Sequence, residues 1–346
     1  MTMLAELVDV VIGVDTHRDT HTAAVVMAPT GAAIATATVS ADPVGYTALV
    51  ALADRHGRRR AWSIEGTGSY GAGLTRHLTG IGEHVIEIER PNRARRRNGA
   101  KDDTIDAVRA GREALARSDA AQPRAAGQRA ALATLLAARR SAIDAATDAQ
   151  RQLNALAITA PETLRTRLRG QKTRALLNTA AKLRIQSRWD LETTTAAATM
   201  RSLARRSAAL EAEAAEHEAA LRSIVERWRP DLLDQTGIGP IVAAAILCAW
   251  SHPGRFRSEA AFAQLAGVAP IPAPSGLTTR HRLNRSGDRQ LNRALHVIAI
   301  QRLRLDPRTI AYRDKRRADG KTDREIRRCL KRYIARDLYR MLEHPA

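Results

Sequence analysis

The chain has 346 residues, enough for two or three domains that each bury a core. Its 56 Lys and Arg outweigh 36 Asp and Glu, a formal net charge of +20 that favours a polyanionic partner over a neutral or acidic one. Two cysteines make neither a disulfide framework nor a zinc set, and 3% aromatics argue against recognition by bases stacked on an aromatic sheet, leaving contacts through Arg and backbone amides.

The residues after Met1 read as a strand, with no basic region, apolar run and small-residue cleavage site, and no window approaches the roughly 18 apolar residues of a spanning helix. A cytoplasmic, nucleoid-associated protein without a membrane partner is the expectation. Apolar, β-branched runs at 8–14, 22–27 and 34–39 predict three consecutive strands, the last two parted by the turn Pro29-Thr30-Gly31. A helical pattern follows at 43–55, then a strand at 61–65, a helix at 70–78, a strand at 84–88 and a helix beginning near Asp103. This order predicts an α/β domain over 1–120, a mixed sheet flanked by helices.

From 121 to about 228 no strand pattern survives. A helix at about 129–156 presents Leu132, Leu136, Ile143 and Leu153, and Pro161 breaks it. Beyond the break, Leu203, Ser207, Leu210, Ala214, His217, Leu221, Ile224 and Trp228 alternate spacings of four and three, a weak heptad seam. The segment 121–230 is therefore expected to be a long helical coiled-coil arm able to pair with another subunit. Pro230 ends it. The remainder, 231–346, reads as mostly helical and holds the densest large basic region, 20 Lys and Arg against 8 Asp and Glu over 275–346.

Four carboxylates stand where this alternation brings ends together. Asp15 lies at the end of the first strand, Glu65 closes the strand at 61–65, and Asp103 and Asp106 share one face of the first helical turns. Carboxylates sharing a site repel unless cations neutralise them, so the set points to Mg²⁺, or Mn²⁺, and to phosphodiester chemistry. The competing reading makes Asp103 a helix cap or a partner of the helix dipole. Asp19 lies past the strand, Asp102 is displaced around the helix, and His17 is either a turn residue or a group that orients a metal-bound water or touches phosphate. The run just upstream, with Arg93, Arg95, Arg96, Arg97 and Lys101, suits phosphate contacts.

In the second half, "TGIGPIVAAAIL" (236–247) opens a small-residue helix with Gly237 and Gly239. Such a turn either presents amides to a nucleic-acid phosphate, as in a helix-hairpin-helix, or serves close packing. Prolines at 270, 272 and 274 lead to Ser275, and Arg280, Arg282, Arg285, Arg289 and Arg293 follow. A serine held among phosphate-binding groups could attack phosphorus, given a base, a metal or a positive field.

The segments "GVDTHRDTHTAAV" (13–25), "WSIEGTGSYG" (62–71), "KDDTIDA" (101–107), "TGIGPIVAAAIL" and "FAQLAGVAPIPAPSGLTTRHRLNRSGDRQLNRAL" (262–295) together resemble the DEDD-type transposases of bacterial insertion sequences. That group is related to the Moraxella pilin-gene invertase and to recombinases guided by a bridge RNA. The resemblance implies a RuvC-like (RNase H-like) domain, a coiled-coil linker and a C-terminal transposase domain. Its acidic residues fall on Asp15, Glu65, Asp103 and Asp106, and its nucleophilic serine on Ser275. It further implies donor and target DNA, a structured bridge RNA, and a homo-oligomer in which dimers assemble to a tetramer. Two other readings stay open: a RuvC-like nuclease using water as attacker, and a non-catalytic nucleic-acid-binding protein.

Overall fold

The computed structural model describes residues 3–88, 102–117, 121–272, 281–282, 284 and 286–344. It divides into two compact units, 1–126 and 127–346.

In the first unit, β1 (Val10–Thr16), β2 (Thr20–Met27) and β3 (Ala33–Ser40) form an antiparallel meander. β4 (Arg60–Glu65) then pairs parallel with β1, and β5 (Val85–Ile88) parallel with β4, giving the order β3-β2-β1-β4-β5. A central strand covered on both faces must be apolar at successive positions. β1 obeys this: Val10, Ile12 and Val14 join the core under α2 (Pro43–Asp54) and α3 (Ala72–Gly80), while Val11 joins the opposite core under α4 (Asp103–Leu115). The chain does not run straight into this strand as expected. A short helix α1 (Leu4–Leu7) comes first, because Leu4 buries itself in the α4-side core.

α4 lies unusually close to the sheet. A Cβ on Gly13 would stand 2.1 Å from the Ala107 carbonyl oxygen and 2.5 Å from the Gly111 nitrogen, so only glycine lets helix and strand meet there. The buried Ser63 hydroxyl donates to the Ala110 carbonyl at 2.7 Å, a second tie between β4 and the same helix turn.

The second unit begins with α5 (Gln128–Thr159) and α8 (Leu191–Trp228), bridged by α6 (Glu162–Leu168) and α7 (Thr173–Ala181). Arg139 bonds Glu218 while Gln150, farther along α5, bonds Ser207 and Glu211 on α8, so the two long helices run antiparallel. The packed stripe of α8 differs from the expected seam at every second position. Ser207, Ala214 and Leu221 are buried as expected, but Ala197, Ala204 and Val225 are buried with them, while Leu203, Leu210, His217 and Ile224 are only partly covered. Between the buried positions, exposed Glu211 and half-covered Glu218 meet α5 through hydrogen bonds, contacts that apolar periodicity does not register.

Past a 3₁₀ turn (Pro230–Leu232), α9 (Pro240–Trp250), α10 (Glu259–Leu265), a two-stranded ribbon of β6 (Ile271–Pro272) and β7 (His281–Arg282), α11 (Arg289–Leu305), α12 (Pro307–Ala318) and α13 (Asp323–Glu343) follow. Trp250, Phe262, Leu295, Ile298 and Leu338 centre the core of this part, which also takes in Leu132, Leu221 and Val225 from α5 and α8. No described helix is long and apolar enough to cross a membrane.

Candidate active site

The parallel register sets Val14 opposite Ile64, so Asp15 and Glu65 take the next positions at neighbouring strand ends. The Thr16 hydroxyl donates to the Glu65 carbonyl at 2.9 Å and ties the ends together. By alternation, Asp15 and Glu65 lie on the face of Gly13 and Ser63, the face that α4 covers. The close approach at Gly13 thereby sets the first turn of α4 over the end of β1.

There the acids meet. His17 Nδ1 stands 3.8 Å from Asp15 Oδ2 and 3.8 Å from Asp103 Oδ2, and one ligand atom from each of the three residues lies within 4.8 Å of the others. The Asp15 side chain is 13% exposed, against 43% for Asp103. His17 is placed by the β1–β2 turn, where its N–H donates to the Thr20 carbonyl at 3.0 Å. Capping falls to Asp102, whose carboxylate accepts from the Thr104 N–H at 2.9 Å, so Asp103 is not needed for that task. The helix end adds partial positive charge that favours carboxylates in its first turn. Two carboxylates and an imidazole at this spacing are a donor set that could hold a divalent metal ion.

The structure thus brings Asp15 and Asp103 together and adds His17, which sequence reasoning had left between a turn role and a site role. Asp106 stands one turn along α4, where its carboxylate accepts from Arg109 at 3.1 Å, and Glu65 is adjacent by register. Neither belongs to the three-residue cluster found among the described residues. Arg93, Arg95, Arg96, Arg97 and Lys101 lie outside the described residues.

In the second unit, Gly239 is the N-cap of α9, and Gly237, at φ +87°, packs against α11, where a Cβ would come 3.2 Å from the Ile298 Cα. Ser275, Arg280 and Arg285 lie outside the described residues. The described residues on either side of them come together. Gly267 and Gly287, both at positive φ, face each other so closely that a Cβ on Gly287 would stand 2.9 Å from the Gly267 nitrogen. The Asp288 N–H donates to the Leu265 carbonyl at 2.6 Å, and the Asn292 side chain donates to the Ala266 carbonyl at 2.7 Å. Arg282, Arg289 and Arg293 line a cavity beside this clasp.

A mixed sheet of this order with acidic residues at its strand ends, followed by a mostly helical remainder, fits an RNase H-like transposase. Residues 12–159 match a family model described as a transposase of the DEDD IS110 kind, and residues 231–314 match one described as the transposase IS116/IS110/IS902 family. Together the matches take in well over half of the chain, and the chain belongs to the DEDD-type transposase family of insertion sequences. It is 31% identical over 160 residues to the insertion element IS900 uncharacterized 42 kDa protein of Mycobacterium paratuberculosis, covering 44% of this chain and 40% of that protein. To the insertion element IS110 uncharacterized 43.6 kDa protein of Streptomyces coelicolor it is 32% identical over 128 residues, covering 36% and 32%. The chain thus spans two fifths of the first relative and about a third of the second.

Proposed function

We propose that the chain is a metal-dependent DNA transposase that cuts and rejoins the strands of an insertion element. The observation that carries this is the convergence of Asp15, His17 and Asp103 at the end of central strand β1, by the start of α4. Asp15, Glu65, Asp103 and Asp106 are the residues that would hold a divalent cation, with His17 between the first and third. When bound, the cation supplies Lewis-acid polarisation of the scissile phosphate and charge neutralisation at the reacting oxygens.

The chain's own groups do the rest. Ser275 Oγ gives up its proton and forms a bond to phosphorus as the phosphorus–oxygen bond to the departing strand breaks, and that oxygen is protonated as it leaves. Gly237, Gly239, Arg282, Arg289 and Arg293, with Arg93, Arg95, Arg96, Arg97, Lys101, Arg280 and Arg285 from the basic segments, position the sugar-phosphate chain. Residues 1–120 supply the acidic site, 121–230 a coiled-coil arm that joins dimers into a tetramer on nucleoid DNA in the cytoplasm, and 231–346 the serine. A bridge RNA would choose donor and target by base pairing, which is why no base-reading side chains need be sought.

The test is covalent trapping. Purified protein with Mg²⁺ and a nicked suicide DNA substrate is expected to form a protein-DNA ester, and Ser275→Ala is expected to abolish it. Full-rate cleavage by Ser275→Ala would replace the serine step with RuvC-like hydrolysis. Tight binding without cleavage, with or without RNA and with either Mg²⁺ or Mn²⁺, would leave a non-catalytic binding protein.

A further inference from the structure

A cavity of about 1020 Å³ opens in the second unit between the Gly267–Gly287 clasp, α11 and α13. Eight Lys and Arg line it against two carboxylates, Asp288 and Glu325. Both acids are already engaged: Asp288 accepts from the Gln290 and Leu291 N–H groups at 2.8 and 3.0 Å, and Glu325 accepts from the Thr322 N–H at 2.9 Å. Two of the cations are engaged as well, Arg316 with Asp319 and Arg332 with Glu259, each at 2.9 Å. Among the described residues, the other six, Arg282, Arg289, Arg293, Lys321, Arg328 and Lys331, have no carboxylate at ion-pair distance.

Lys331 is the most constrained of these. Its ammonium donates to the Asn292 side-chain oxygen at 2.7 Å, and Asn292 spends its amide hydrogens on the Ala266 carbonyl, which orients that oxygen toward the lysine. An ammonium carries three donors, so hydrogen remains to face the cavity. Burial pulls Lys331 below the usual lysine range. The pKa of His296 on the same wall is lowered, first by burial and then by the positive charges of Lys331 and Arg327. A half-buried cation with only a neutral amide for company is costly, and an anion in the cavity offsets that cost. Val268, Pro270, Ile326 and Tyr333 add apolar wall of the kind a sugar can lie against.

The structure assigns to this cavity the seating of a backbone phosphodiester, with Lys331 and Arg328 of α13 and Arg293 of α11 as its binding groups beside the Gly267–Gly287 clasp. The assignment rests on the reading of the chain as a nucleic-acid enzyme and adds α13 to it. DNA and RNA present the same phosphodiester, and the experiment separates them.

The 346-residue chain in EDTA, so that chemistry at the acidic site is silent, is titrated with duplex DNA and with single-stranded RNA at several salt concentrations. Lys331→Met and Arg328→Gln are each expected to lower the slope of log affinity against log salt by about one and to weaken binding roughly three- to tenfold, irrespective of sequence. A loss confined to the DNA or the RNA series names the occupant. If Lys331→Met proves unfolded by its melting curve, Arg328→Gln decides, since Arg328 makes no hydrogen bond to the Gly267–Gly287 clasp among the described residues. Unchanged slopes in a folded variant, with salt-dependent binding by the parent chain, would overturn the cavity assignment and leave the transposase reading standing. A parent chain that binds neither polymer would overturn both.

Discussion

At Asp15 a single side chain departs from what its strand otherwise requires. The preceding residues are core, yet Asp15 sits at the strand end with His17 between it and Asp103. Asp15→Asn keeps the shape, removes one charge and is expected to cut Mg²⁺-dependent strand cleavage by about 10²–10⁴-fold with an unchanged melting temperature. Parent-like cleavage by a folded Asp15→Asn would remove this carboxylate from the chemistry.

His21 shows the opposite case, a titratable residue placed for packing. It is buried, its ring lies 5.8 Å from Tyr46 in a stacked pair, and its Nε2 has no partner among the described residues. Burial holds its pKa below the ordinary histidine value. The unfolded chain therefore takes the proton first as pH falls. The stability contributed by neutral His21 is complete above the ordinary histidine range and is lost as pH drops through that range toward the lowered folded value. His21→Phe is expected to flatten denaturation midpoints across this window relative to the parent chain. Parallel curves for the two proteins would contradict it.

For single elements, α4 and α8 teach different lessons. The start of α4 was legible because a cap, an acidic first turn and an amphipathic run coincide at 102–106. Its docking was not, because a glycine in a strand motif does not reveal which helix it admits. In α8 the periodicity was legible but its phase was not. The line of contact with α5 passes exposed Glu211 and half-covered Glu218, which meet α5 by hydrogen bonds that hydrophobicity does not register. Leu221→Ala, at a fully buried position, is expected to cost about 2–5 kcal/mol in chemical denaturation, and Leu210→Ala, half-buried, clearly less. Equal losses would restore the unshifted seam.

For the molecule as a whole, two units with separate cores are expected to unfold in separable calorimetric steps. Arg229 tests this. Buried at the end of α8, it binds Asp231 at 2.6 and 2.8 Å and donates to the Met341 carbonyl of α13 at 2.9 Å. Asp231 is 42% exposed and can be rehydrated, so Arg229→Gln chiefly leaves the Met341 carbonyl without its donor and is expected to cost about 1–3 kcal/mol, lowering one transition and leaving the other in place. A uniform downward shift of all transitions would argue for a single cooperative body.

What the sequence determined by itself was carried by local pattern: the order of the five strands and of the helices between them, the sheet's mixed character, the basic second half and the family resemblance. Alternation, capping and charge runs are written within a few residues of one another, so a linear reading reaches them. Only the tertiary structure decided that His17 bridges Asp15 and Asp103, that α4 rests on Gly13, which face of α8 is inside, and that Lys331 meets Asn292 at the base of a loop far from it in sequence. Those outcomes depend on close contacts between distant segments, where a glycine's missing Cβ or a satisfied glutamate settles the fit.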